Sequence, residues 1–195
     1  MIWGKISLFI VCLMPLLYLI VRIVADDLGP DPGKEVLLSL GFWAICFLWL
    51  TLAISPLRRM TGRSVLLRYR RMMGLYCWAY ASLHFLVVLN VLLGWDWLVF
   101  VEEFKERPYM ALGIIAWCLL LPLGLTSNRW AIRRLGSRWR RLHQLVYVIA
   151  LCVIFHFFWL VRSDFGEVAI FAGLLLVLLA ERIWQQLRRY KALAR

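Results

Sequence analysis

Three histidines, His84, His143 and His156, are the residues of this 195-residue chain best suited to chemistry, because all three lie in long apolar stretches. His84 sits in CWAYASLHFLVVLN, and the other two share RRLHQLVYVIALCVIFHFFWLVR. An imidazole surrounded by lipid is costly unless it faces the interior of a helix bundle and finds a partner there. One such histidine is accounted for by a hydrogen bond to a neighbouring carbonyl; three in two segments ask for more. At 1.5 Å per helical residue, His84 lies about 18 Å beyond Met72 and His156 about 22 Å beyond Arg141, so the two imidazoles sit at nearly one depth. Facing each other from adjacent helices, they form the arrangement that ligates a haem iron from both sides, and low-spin iron of that kind carries electrons.

His143 precedes His156 on the same stretch by about 20 Å of helix axis, where a second haem has room to stack. On an ideal helix the two side chains diverge by about 140°, so a bulge or bend is required to turn both toward one partner helix. On the third stretch the positions opposing His143 are Arg71 and Arg70, and Arg70 is the one on the face of His84. A guanidinium stays protonated and is a poor iron ligand. It pairs bidentately with a haem propionate or a flavin phosphate; alternatively Arg70 is one more interfacial cation, and both readings stand.

Lesser candidates are Gly74 and Gly113, which admit close approach of a flat cofactor or a neighbouring helix. Arg22 and Glu181, near the ends of their stretches, read as interfacial and snorkelling. Arg162 and Asp164 are placed to hold a propionate or a partner protein. The five cysteines are scattered singly, with no CxxC, and read as small apolar helix residues.

The elements that position these residues are set by hydropathy. The chain is 64% hydrophobic with a mean hydropathy of +0.79, too apolar for water to be its solvent. Apolar stretches at 5–24, 36–55, 72–93, 109–125, 141–161 and 166–185 are each long enough to cross a hydrocarbon core about 30 Å thick. The expected fold is therefore an all-α, six-span bundle forming a single transmembrane domain over 1–195. No cleavage site of the small-x-small type follows the first stretch, so it is expected to be retained as a span.

Net charge is +12, but the cations sit in short clusters between spans rather than in a nucleic-acid-binding patch. Arg58, Arg59, Arg63, Arg68, Arg70 and Arg71 share one connection, and Arg129, Arg133, Arg134, Arg138, Arg140 and Arg141 another, both without an acid. The alternate connections carry Asp26, Asp27, Asp31 and Glu35, then Asp96, Glu102, Glu103 and Glu106. The positive-inside rule then puts both arginine connections, both termini and the tail of Arg188, Arg189, Lys191 and Arg195 in the cytoplasm. Tryptophans such as Trp3, Trp95, Trp97, Trp130, Trp139, Trp159 and Trp184 cluster near span ends, as interfacial anchors do. No internal repeat stands out, and no GxGxxG or P-loop appears.

Six spans, a histidine in the third and a histidine pair in the fifth resemble the ferric-reductase-like transmembrane domain shared by NADPH oxidases and metalloreductases. The RRMMGLYCWAYASLHF and RLHQLVYV stretches are similar to one short bacterial branch, and the likeness covers essentially the whole chain. The NADPH-oxidase pattern has two histidines on each of the two helices, spaced 14 on the third and 13 on the fifth; here the 13-residue pair is His143 and His156, and the 14-residue step back from His84 lands on Arg70. The resemblance thus implies an outer haem b on His84 and His156, with His143 ligating a second haem through an unknown partner or facing a flavin, FMN. It further implies an inner-membrane, non-catalytic electron-transfer subunit. Its electrons would come from the quinol pool or a cytoplasmic flavin reductase. They would pass to a periplasmic molybdenum-containing protein-methionine-sulfoxide reductase subunit, its heterodimer partner. The competing readings are a stand-alone ferric or oxygen reductase and, from another class, a small transporter or membrane assembly factor.

Overall fold

The computed structural model describes residues 2–161, 163 and 165–193; Arg162, Asp164 and Arg195 lie outside the described residues. The described chain is entirely helical, without a strand. In order, the helices are α1 (Ile2–Val24), α2 (Pro32–Thr61), α3 (Leu67–Val87), α4 (Trp97–Glu106), α5 (Pro108–Leu125), α6 (Arg129–Leu135), α7 (Ser137–Leu142), α8 (Leu145–Leu160) and α9 (Gly166–Leu193). Five segments are long and apolar enough to cross a membrane: Trp3–Val24, Pro32–Thr61, Ser64–Leu92, Pro108–Leu125 and Ser137–Leu160. Large apolar side chains such as Phe9, Val21, Leu151 and Leu176 stay exposed on the outside of the bundle. That surface suits a bilayer, and the chain is a multi-pass membrane protein.

Local chemistry sets the helix limits. Asp31 caps α2 by accepting from the Lys34 amide at 3.1 Å, with Pro32 preformed for the first turn, and Gly62 closes the helix at φ 69°. Asn128 caps α6 through the Ala131 amide at 2.8 Å. Beyond α3 the chain widens into a π-helical turn at Val88–Leu92 before reversing through Gly94 and Trp95, both at positive φ. Asp96 then starts α4, a helix within what the sequence reads as a connection. Trp97, Phe100 and Phe104 stack along one of its faces, with centroids 5.0 and 6.3 Å apart.

The fifth apolar stretch, expected as one helix, is two. At its break the Gln144 amide bonds the Arg141 carbonyl and the Tyr147 amide bonds the Gln144 carbonyl, both three residues back, so the ladder tightens for one turn between α7 and α8. His143 lies in that break.

Two antiparallel pairs dominate the packing: α2 lies mainly on α3, and α5 mainly on α8, with α3 against α5 joining them. α9 covers α2 and α8, and α1 lies against α2 and α3. The innermost side chains are Leu52, Tyr80 and Ile149. α1 is pinned by tyrosines of α3: Tyr76 donates to the Phe9 carbonyl at 2.8 Å and Tyr80 to the Cys12 carbonyl at 3.0 Å. The Leu16 amide in turn donates to the Tyr80 hydroxyl at 3.0 Å. One hydroxyl thus sits between the amide and carbonyl that would otherwise pair in the helix, one residue past Pro15.

Candidate functional site

α3 and α8 bring His84 and His156 face to face in the middle of the two helix pairs. Their ring centroids lie 6.4 Å apart with the planes at 90°. Each Nδ1 meets a backbone carbonyl: Leu37 at 2.9 Å for His84, Tyr109 at 2.6 Å for His156. A carbonyl only accepts, so each Nδ1 carries the proton and each Nε2 keeps its lone pair. A carbonyl holding the far nitrogen is the usual support for an imidazole that ligates a metal.

The supports are built alike. In both pairs the carbonyl lies 47 residues before its histidine, and a glycine follows one helical turn after the carbonyl residue. A Cβ on Gly41 would meet the His84 ring at 3.0 Å, and one on Gly113 the His156 ring at 2.9 Å. Only glycine lets the backbone of α2 or α5 come this close to the ring. The α2–α3 and α5–α8 pairs are therefore two copies of one device, each offering an imidazole to the space between them. The sequence reading, which found no repeat, missed this one because it lies in a few positions rather than in general similarity.

The arrangement fits a haem iron. Two imidazoles on opposite sides of one metal, each about 2 Å from it, have centroids roughly 6 Å apart, close to the 6.4 Å observed. Among the described residues no group of three His, Cys, Asp or Glu side chains gathers to hold a bare ion. Two imidazole nitrogens with no third ligating side chain gathered beside them would suit a macrocycle that brings its own four donors.

His143 is placed differently. Its Nδ1 donates to the Trp139 carbonyl at 3.1 Å, one turn back, and its ring stacks on the Trp139 indole at 3.9 Å. The indole is itself anchored to the Thr126 carbonyl at 3.0 Å. The His143 Nε2 is buried without a hydrogen-bond partner. The required break in the helix is present, and the group within electrostatic reach is Arg70. No second imidazole faces it, since the chain's other two histidines are paired with each other. Arg70 is half-buried and reaches Ser55 Oγ at 3.4 Å.

The sequence reading missed Arg182. Its guanidinium donates to the Leu52 carbonyl at 2.8 Å and to the Tyr147 hydroxyl, lies 4.9 Å over the Tyr147 ring, and leaves Nε buried without a partner. The signal available was an arginine next to Glu181 inside the last apolar stretch. Glu181 is not snorkelling: it forms a two-pronged ion pair with Arg59 of α2, with one contact at 2.8 Å. Arg22 likewise reaches back to Glu35 and to the Asp27 carbonyl, tying α1 to the start of α2. Gly113 is the cradle of His156, whereas Gly74 meets only Thr51, at an ordinary 3.8 Å. The arginine-rich end does not single out a flavin site. Arg59, Arg70 and Arg182 are already engaged by protein groups.

Residues 40–154 match the family of ferric reductase like transmembrane components. Among similar proteins, the protein-methionine-sulfoxide reductase heme-binding subunit MsrQ of Xanthomonas euvesicatoria pv. vesicatoria is 47% identical over 171 residues, 88% of this chain and 78% of its own. The MsrQ of Xanthomonas oryzae pv. oryzae is 48% identical over 170 residues, 86% and 78% of the two chains. The MsrQ of Ralstonia nicotianae is 42% identical over 183 residues, covering 92% and 84%. No solved structure matches. The matched span holds both glycine cradles, the Tyr109 carbonyl and two of the three histidines, and the relatives extend the likeness over His156; the chain belongs to the ferric-reductase-like transmembrane family, in the branch formed by the MsrQ proteins.

Proposed function

We propose that this chain is a haem b-binding, non-catalytic electron-transfer subunit of the bacterial inner membrane. In this reading it is one transmembrane domain of six spans, α9 being the sixth, with both termini and both arginine-rich connections in the cytoplasm. It takes electrons from the quinol pool or a cytoplasmic flavin reductase and passes them to a periplasmic molybdenum-containing protein-methionine-sulfoxide reductase subunit. The observation that carries the reading is the 6.4 Å approach of two imidazoles whose far nitrogens are both fixed by carbonyls.

His84 and His156 would hold the haem, with His143 beside a second cofactor at the inner end. When bound, haem supplies a one-electron couple between ferric and ferrous iron. The chain's own part is to hold the imidazoles. The Leu37 and Tyr109 carbonyls keep Nε2 free of a proton and raise its basicity. Gly41 and Gly113 fix ring position by contact, so little rearrangement accompanies a change of charge at the centre. Half-buried Val87, Val153 and Phe157 belong to the apolar packing around these helices, which keeps water away. At the other end Arg70 and Arg182 place positive charge beside the route by which electrons would enter.

Haem content and spectra of the purified protein and of His84→Ala, His156→Ala and His143→Ala test this. Loss of the same low-spin haem from either outer variant, with that haem intact in His143→Ala, is expected. Its survival in both outer variants would sink the pairing.

A further inference from the structure

A groove of about 470 Å³ runs between α1 and α3 at the arginine-rich end, away from all three histidines. Phe9 and Leu75 line its apolar part and Ala79 closes its far end, while Lys5, Arg68 and Arg71, all exposed, stand at its mouth. The helices are held at this spacing by specific contacts. Tyr76 of the groove wall donates to the Phe9 carbonyl at 2.8 Å. The Tyr69 hydroxyl lies 3.0 Å from where a Cβ on Gly4 would stand, a tight approach that a larger residue would oblige Tyr69 to relax.

Charge and hydropathy are ordered along the groove. Arg68 and Arg71 are three residues apart on one face of α3, and Leu75 and Ala79 continue that face at one-turn steps. From Arg71 to Ala79 is about 12 Å, most of the roughly 15 Å that one leaflet contributes to the hydrocarbon core. Neither α1 nor α3 contains an acidic residue. Cations that only orient a membrane protein have no reason to converge from two helices on the mouth of an apolar slot. A basic mouth between transmembrane helices on the cytoplasmic side is the setting in which acidic lipid headgroups bind. A neutral amphiphile such as a quinone would fill the slot but offer no charge to Lys5 and Arg71.

We propose that this groove is a binding site for one anionic phospholipid of the leaflet at the arginine-rich end. The phosphate is held by Lys5 and Arg71, and an acyl chain lies along Leu75 and Ala79. The site stands independently of the haem reading, although the orientation proposed above makes that leaflet the cytoplasmic one.

The test is native mass spectrometry of the detergent-purified full chain offered equal phosphatidylglycerol and phosphatidylcholine with the same acyl chains. About tenfold greater retention of phosphatidylglycerol is expected, abolished in Lys5→Gln/Arg71→Gln. Arg133→Gln/Arg138→Gln removes the same charge from exposed positions elsewhere at that end and should keep the preference. Ala79→Phe, which fills the slot without touching charge, should lower phosphatidylglycerol retention, so the proposal stays testable if the double charge variant misfolds. Equal retention of the two lipids, equal loss in both double variants, or displacement of phosphatidylglycerol by inorganic phosphate or by a short-tailed benzoquinone overturns it.

Discussion

Where His84 and His156 meet, each ring is held by a carbonyl and a glycine from a second helix, whereas His143 is held chiefly by the carbonyl and the indole of Trp139, one turn back in its own chain segment, with the Leu123 backbone also within reach. The outer rings contact backbone and each other. The inner ring shares its surroundings with Arg70, and the guanidinium of Arg182 lies nearby, within electrostatic reach of Arg70. The His84–His156 end thus sets two imidazoles opposite each other, each with its Nδ1 on a carbonyl, at a spacing set by helix packing. The His143 end holds a single imidazole near the fixed positive charge of Arg70, which favours an electron-rich or anionic group over a second symmetric pair. One chain has duplicated its ligand-holding device once, and only at one end.

The largest expected effect tests that duplication. Gly41→Leu and Gly113→Leu each drive a side chain into an imidazole already at 3.0 or 2.9 Å from the nearest Cβ position. Overpacking of this kind costs about 1–3 kcal/mol, or roughly five- to a hundredfold in affinity, all of it spent on the ring's position. Haem affinity should fall by that factor in both variants and stay unchanged in Gly74→Ala, whose nearest neighbour is 3.8 Å away. Loss in one glycine variant and not the other would break the equivalence of the two helix pairs.

Much of this was legible in the sequence, and what was not has physical reasons. Helical membrane architecture followed from hydropathy, and depth counting put His84 and His156 at one level because helical rise is nearly invariant. The rotation of His143 was not predictable beyond the need for a bend, since the break at Gln144 depends on two carbonyl switches that no residue type announces. Helix α4 was hidden because a short amphipathic stretch of mixed charge reads as a connection. Gly41 was passed over where Gly113 was noted, although both do the same work. Arg182 was invisible because its partners, Leu52 and Tyr147, come from two other helices.

Arg182 gives the next effect in size, confined to the inner end. Arg182→Leu leaves the Leu52 carbonyl and the Tyr147 hydroxyl without their donor. An abandoned buried acceptor costs about 1–3 kcal/mol, and relief of the arginine's own burial offsets part of that. A net loss of about 2 kcal/mol, a fall of roughly 4–8 °C in melting temperature for a chain of this size, is expected in detergent. The low-spin haem spectrum should not change. A spectral change would mean that the two ends are coupled through α8, which carries both Tyr147 and His156.

The smallest effect asks whether the inner field is balanced by Glu181. The Arg59–Glu181 pair is about a quarter exposed on each side, so its worth is bounded near 1 kcal/mol. Glu181→Gln keeps an oxygen for the Arg59 Nε contact, now 2.8 Å, and deletes only the charge. Two consequences separate a local ion pair from a balancing role. A local pair lost in this way costs the same whatever happens at Arg182. A balancing carboxylate relieves the repulsion that Arg59 and Arg70 each exert on Arg182, so its loss should shrink in the Arg182→Leu background. A double-mutant cycle on melting temperature reads the difference as a coupling of about 0.5 kcal/mol or more. We expect that coupling, together with a Glu181→Gln penalty that weakens as salt is raised. Strict additivity of the two substitutions would reduce the inner end to independent contacts and leave His143 without the organised positive field that sets it apart from the outer pair.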